Sequence, residues 1–186
     1  MKTLISILKL WIPLAVTISL ICGIVYIVVQ QNYRLSANDP QTQMANDAAN
    51  DISNGLDPKS VISNQPVDIS NSLSPYLIVY DRQEQPIASS ALLNGKIPKL
   101  PSGVLGFVKE KGADVITWQP QQGIRQALVI KKTTGGSLYF VAAGRSLRKT
   151  EERIVLLMQQ IAFGWICSLA ILFVVVWGLK ILTKFE

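Results

Sequence analysis

Apolar residues occur in this chain in two different patterns. No charged residue stands between Lys9 and Arg34, and none between Arg153 and Lys180. Each stretch supplies about the 20 apolar residues needed to cross a hydrocarbon core of roughly 30 Å, so the pattern predicts membrane-spanning helices over residues 10–29 and 156–179. A cleaved signal peptide is the alternative for the first run, because Lys2 and Lys9 form a basic start. The run is longer than the usual apolar core of such a peptide, and no small-residue cleavage site closes it, so a retained anchor is expected. Ser19-Leu20-Ile21-Cys22 has the outline of a lipoprotein box, but Ile21 is too large for the position before the cysteine, and lipidation is not expected.

Between the two runs the periodicity is that of a folded domain over residues 30–153. Asn38-Asp39-Pro40 is a helix-start signal. Met44, Ala45, Ala48, Ala49 and Ile52 then recur at helical spacing, up to a stop near Asn54-Gly55. Residues 56–75, with prolines at 58, 66 and 75, predict a wrapping connection or a mobile linker. Residues 76–81 and 86–90 read as two strands joined by the polar turn 82–85. A helix is expected over 101–111, with Val104, Leu105 and Val108 on one face and Gly112 as its stop. Strands follow over 113–119, 124–131 and 137–143, the last entered through Thr133-Thr134-Gly135-Gly136. Five strands result. Ser146 can cap a helix that runs from residue 147 to about 183 without a breaker, about 55 Å at 1.5 Å per residue and longer than a bilayer requires. Motion of a sheet edge at Gly144-Arg145 would pass along such a helix.

Composition agrees with membrane residence. Among 186 residues 49% are hydrophobic and 16% charged, and mean hydropathy is +0.31; soluble domains carry roughly 25% charged residues. The formal charge of +6 would suit a nucleic-acid binder if the chain were soluble. Instead, Lys2, Lys9, Lys180 and Lys184 flank the apolar runs, which orients both termini (residues 1–9 and 180–186) toward the cytoplasm and residues 30–153 to the outside. The 14 basic and 11 acidic residues of that outer segment nearly balance, and long loops translocate largely regardless of charge. Trp11 and Trp177 at one boundary, and Tyr26, Tyr33, Phe163 and Trp165 at the other, read as interface anchors. Ala15, Ser19 and Gly23, like Gly164 and Ser168, are spaced by four and can form a small-residue packing seam. Cys22 and Cys167 lie within the apolar runs and read as packing residues, not as a disulfide.

The segments LIVYDRQEQPIAS (residues 77–89), IPKLPSGVL, ITWQPQQGIRQALVI and the closing VAAGRSL resemble the PAS-like extracytoplasmic sensor domains, often called Cache or PDC domains, of bacterial two-span signalling proteins. They are also similar to small bacterial membrane proteins that share the module without an output domain. The resemblance implies an α+β fold, in which two transmembrane helices flank a PAS-like domain with a long N-terminal helix and a five-stranded antiparallel sheet. Any ligand would be held on the sheet face opposite that helix. It implies residence in the bacterial plasma (inner) membrane, a small-molecule ligand or an envelope condition as stimulus, and dimerisation through the spans. The glycine usual in the first hairpin turn is replaced here by Gln83-Glu84-Gln85. No kinase, cyclase or methyl-accepting segment follows the second run, so signalling is expected to pass through a separate partner. The alternative is a non-sensing accessory or scaffold subunit that docks a protein through the same domain.

The candidate ligand residues are Trp118 and Arg125, which flank the turn at 120–123; an indole beside a guanidinium suits a carboxylate or planar anion. Tyr80 and Tyr139 on neighbouring strands are lesser candidates. The plainer reading makes the aromatic residues core or rim packing and Arg125 a solvated strand-end charge. Lys131-Lys132 and Arg148-Lys149 could meet anionic headgroups or serve solubility alone, and Glu151 and Glu152 read as a solvated helix face. The chain contains no histidine, which excludes histidine catalysis and ligation. Asp39, Asp47, Asp51, Asp57 and Asp68 match no calcium-loop spacing, no serine sits in a nucleophile motif, and the glycines form no phosphate loop. Neither enzymatic activity, metal, cofactor nor nucleic-acid binding is expected.

Overall fold

The computed structural model describes residues 2–134 and 138–182, with side chains from residue 5 onward. The chain divides into two compact units, one from Arg34 to Glu151 and the other made of the stretches before and after it.

The flanking unit is a helix pair. Helix α1 (Lys2–Ser36) and helix α4 (Arg148–Leu182) each have 35 residues, about 52 Å at 1.5 Å per residue. Both are long and apolar enough to cross a membrane. Their contacts are specific. The Trp11 indole N–H donates to the Leu169 carbonyl at 3.3 Å, its ring meets Phe173 edge-on at 6.4 Å, and the Trp165 N–H donates to Ser19 Oγ at 2.8 Å. Two tryptophans read as interface anchors thus direct their N–H groups between the helices. Of the small-residue seam, Ala15 is buried and Ser19 accepts from Trp165, whereas Gly23 and Gly164 are open, with nothing near the space a β-carbon would occupy. Cys22 and Cys167 are free thiols.

The α+β unit is organised by a five-stranded antiparallel sheet. In chain order its strands are β2 (Tyr76–Tyr80), β3 (Pro86–Ser89), β5 (Ala113–Gln121), β6 (Ile124–Lys132) and β7 (Phe140–Ser146), arranged β3-β2-β7-β6-β5. Alternation along the strands divides two cores. Leu77, Val79, Val129, Val141 and Ala143 face helix α2 (Asp39–Ser53), whose Ala45, Ala48, Ala49 and Ile52 pack on them. Tyr76, Ile78, Tyr80, Leu128, Ile130, Phe140 and Ala142 face the other way, onto Leu105 and Val108 of helix α3 (Val104–Lys111). All five residues of β2 are buried, as expected of a central strand covered on both faces. Helix α2 is the helix that packs on the Leu77 and Val79 face of the sheet.

Several expected boundaries move for identifiable reasons. Helix α3 starts three residues late because Gly103 is left-handed (φ 85°), and helix 101–111 therefore shrinks to its last two turns. Strand β5 extends into its turn, which Gly123 closes at φ 80°, while β6 starts where expected and gains Lys132 at its far end. The last strand is displaced toward its C-terminal end: Gly144, Arg145 and Ser146 pair with Leu128, Ala127 and Gln126. Gly144-Arg145 is consequently part of a central strand, not a sheet edge. The expected strand start at Ser137, and Gly135-Gly136 before it, lie outside the described residues.

Residues 56–75 are tied down, which removes the mobile-linker alternative. Strand β1 (Val67–Asp68) pairs in parallel with β4 (Ala91–Leu92), a two-stranded ladder that periodicity did not predict. Ile69 is buried in the core, and its carbonyl accepts from Gln126 Nε2 at 3.1 Å. The Asp68 carboxylate accepts from the Ser70 hydroxyl and backbone N–H and from Asn71 Nδ2. These bonds, led by that of the Ser70 hydroxyl, lower its pKa.

Candidate functional site

The four sequence-predicted ligand residues do not come together. Trp118 on β5 is 4% exposed, inside the core beneath α3, so its indole is a packing element. Arg125, near the start of β6, points elsewhere: its guanidinium donates to the Glu151 carboxylate in the first turn of α4. Tyr139 packs at the α2 core, and its backbone exchanges hydrogen bonds with Thr133, the Thr133 N–H donating to the Tyr139 carbonyl and the Tyr139 N–H to Thr133 Oγ1. Tyr80 is on the α3 face with Trp118. Tyr80 and Tyr139 therefore lie on opposite faces of the sheet.

Tyr80 borders a cleft. The cleft holds about 310 Å³ and lies between the β2–β3 turn (Glu84, Gln85, Pro86) and residues 97–102, with Tyr80 and Leu105 also lining it. The local sequence builds this rim. Asp81 Oδ1 accepts from the Gln83 and Gln85 backbone N–H groups at 2.9 and 2.8 Å, an Asx-turn, and Glu84 takes the left-handed conformation (φ 62°). A carboxylate that gathers two N–H groups thus makes the turn in which glycine was expected. On the opposite wall Pro98 and Pro101 set the backbone, and Lys99 and Ser102 add polar groups.

The core face below carries unpartnered polar groups. The Tyr80 and Tyr76 hydroxyls and Gln126 Oε1 are buried without hydrogen-bond partners. Burial raises the pKa of both phenols, and for Tyr76 the neighbouring Tyr80 adds to the rise. Both stay protonated through the physiological range, hence able to donate. Nothing in the chain's periodicity marks this site, since residues 84–86 and 97–102 meet only through the fold. Proline at 86, 98 and 101 was the available signal.

A second cluster holds the exit to α4. The Leu147 N–H donates to the Arg125 carbonyl at 2.9 Å, the Arg148 N–H to Ser146 Oγ at 3.3 Å, and the Arg148 guanidinium to the Asn71 carbonyl at 2.8 Å. Arg145 Nε donates to the Leu73 carbonyl at 3.1 Å. The Ser146 hydroxyl thus accepts from the first helical N–H, although Leu147, whose carbonyl accepts from the Glu151 N–H, holds the cap position. Register separates the two basic pairs: Gln126 is opposite Ser146 but Lys132 is opposite Phe140, so Lys131-Lys132 lies about 20 Å along the sheet from the exit. Lys132 Nζ there donates to the Lys109 carbonyl. Among the described residues, no three Cys, Asp or Glu side chains gather as a metal site. No protein-family model matches the chain, and no curated protein is similar to it in sequence.

Proposed function

We propose that the chain is a bacterial plasma-membrane protein that crosses the bilayer through α1 and α4, keeps both termini in the cytoplasm, and holds its α+β unit outside. There it senses a small molecule or an envelope condition, in the manner of PAS-like domains, and signals through a separate partner. One observation carries the reading. Helix α4 is a single unbroken element whose first turn is bonded to the sheet through Arg125, Ser146 and Arg148 and whose residues from Leu156 onward form an apolar run. A displacement of β6 or β7 would act on the start of that helix, as coupling between compartments requires. The layout of helix, antiparallel sheet and opposite-face cleft supports the PAS-like part. A reporter active only outside the cytoplasm tests the topology: it should be active when inserted at Gly95 and silent when fused after Glu186, and the converse would overturn it. Thermal shift of the full chain against a metabolite panel tests sensing; a saturable shift is expected.

The second reading, an accessory or scaffold subunit, is favoured by β5. This nine-residue edge strand has one charged residue, Asp114, and an exposed Val115. Long edges with few charges are ready templates for pairing with another chain. Co-purification of a membrane partner that a charge at Val115 abolishes, with no small-molecule response, would decide for it.

A further inference from the structure

We propose that the cleft between the β2–β3 turn and residues 97–102 binds a small, uncharged cyclic molecule bearing a carbonyl acceptor. This assignment rests on the sensor reading and names the ligand class of that site.

Three features point to this chemistry. First, charge: among the lining side chains, Lys99 supplies one cation and Glu84 one carboxylate, so the lining carries no net charge to favour an ion of either sign. Second, shape: Pro86, Pro98 and Pro101 line the cleft together with Tyr80 and Leu105, and so give it largely apolar faces. Such faces pack on a compact ring whose own surface is largely C–H, and about 310 Å³ is at the small end of metabolite pockets. Third, hydrogen bonding: the buried Tyr80 hydroxyl lacks a partner, and as a neutral phenol it offers a donor. A carbonyl oxygen would accept it. The hydroxyl is sealed from solvent in this conformation, so binding requires the cleft to open enough to admit the carbonyl.

The test uses the full chain in detergent micelles, with empty micelles as blank. Caprolactam, a neutral cyclic amide, is titrated beside benzoate and benzylamine, which carry a ring of similar size with opposite charges. Caprolactam should bind saturably and more tightly than either ion. Tyr80→Phe, which removes only the unpartnered hydroxyl and should fold, is expected to weaken it roughly fivefold to tenfold, the worth of one hydrogen bond. Gln85→Trp, at an exposed turn position held through its backbone, should block the cleft and abolish binding, while Val115→Thr on the remote β5 edge should change nothing. Absence of saturable caprolactam binding, preference for either ion, or unchanged affinity in both Tyr80→Phe and Gln85→Trp would overturn the assignment. If another compound from a metabolite panel then saturates and both cleft variants leave it unaffected, the cleft is wrong and the sensor reading stands. If no compound binds, both fall.

Discussion

Gln41, in the first turn of α2, offers a quantitative check on the packing of the α+β unit. It is fully buried (0% exposed), on the same helix face as Ala45, Ala48, Ala49 and Ile52, and neither Nε2 nor Oε1 has a partner. A buried polar group without a hydrogen bond costs about 1–3 kcal/mol. Gln41→Met replaces the amide by a thioether of similar length, and the two residues have nearly equal helix propensity. The substitution should therefore stabilise the unit by about 1–3 kcal/mol, with little strain to offset it. For a unit spanning Arg34 to Glu151, each kcal/mol raises Tm by about 4 °C, so a rise of roughly 4–12 °C is expected. Thermal unfolding followed by near-ultraviolet circular dichroism, together with urea titration of the full chain, reads it. A loss of about 1 kcal/mol or more at unchanged urea dependence would refute the reasoning, because Gln41 would then have to make hydrogen bonds in solution that the amide alone can make.

Other substitutions and conditions test other parts of the fold. Stability should hold up to the ordinary tyrosine range near pH 10 and fall above it: the unfolded chain releases its phenolic protons there while burial keeps Tyr76 and Tyr80 protonated in the folded one, so the unfolded state binds fewer protons. Tyrosinate absorbance against pH should show two tyrosines that ionise only on unfolding. The opposite sign holds for Asp68, whose lowered pKa gives a contribution present above the usual carboxylate range and lost as pH falls through and below it, visible as a smaller protection factor for the Ser70 amide. Glu84→Gly relieves a left-handed side chain (φ 62°) and should be stabilising or neutral within about 1 kcal/mol, whereas Asp81→Ala removes the acceptor of two backbone N–H groups and should cost about 1–2 kcal/mol by chemical denaturation. Glu151→Gln breaks an ion pair whose side chains are 48% and 42% exposed, so its cost should stay below about 1 kcal/mol.

The parts of the fold that were legible in the sequence are those written in local period or punctuation. Asn38-Asp39-Pro40 and Asn54-Gly55 bracket α2 to within a residue or two, and the strands around 82–85 and 120–123 appear because apolar runs are interrupted by turn chemistry. The five-stranded sheet follows from them. What could not be read depends on residues distant in the chain. The β1–β4 ladder is two residues long on each side and has no period. Arg125 could not be assigned to Glu151, 26 positions away, from strand spacing, and a tryptophan beside a turn gives the same signal whether it turns to a ligand or, as Trp118 does, to a core. The displacement of β7 has a similar origin: glycine and arginine at 144–145 read as a sheet edge beyond the end of the strand, yet Gly144 is required within the strand by its neighbour.

That neighbour is Tyr76, directly opposite Gly144 across the β2–β7 ladder, and its ring and hydroxyl occupy the space that a β-carbon at 144 would fill. The two positions share one volume, so they cannot vary independently over evolutionary time. Homologues that carry any side chain at position 144 are expected to have given up the aromatic ring at position 76, and those that keep the ring to keep the glycine.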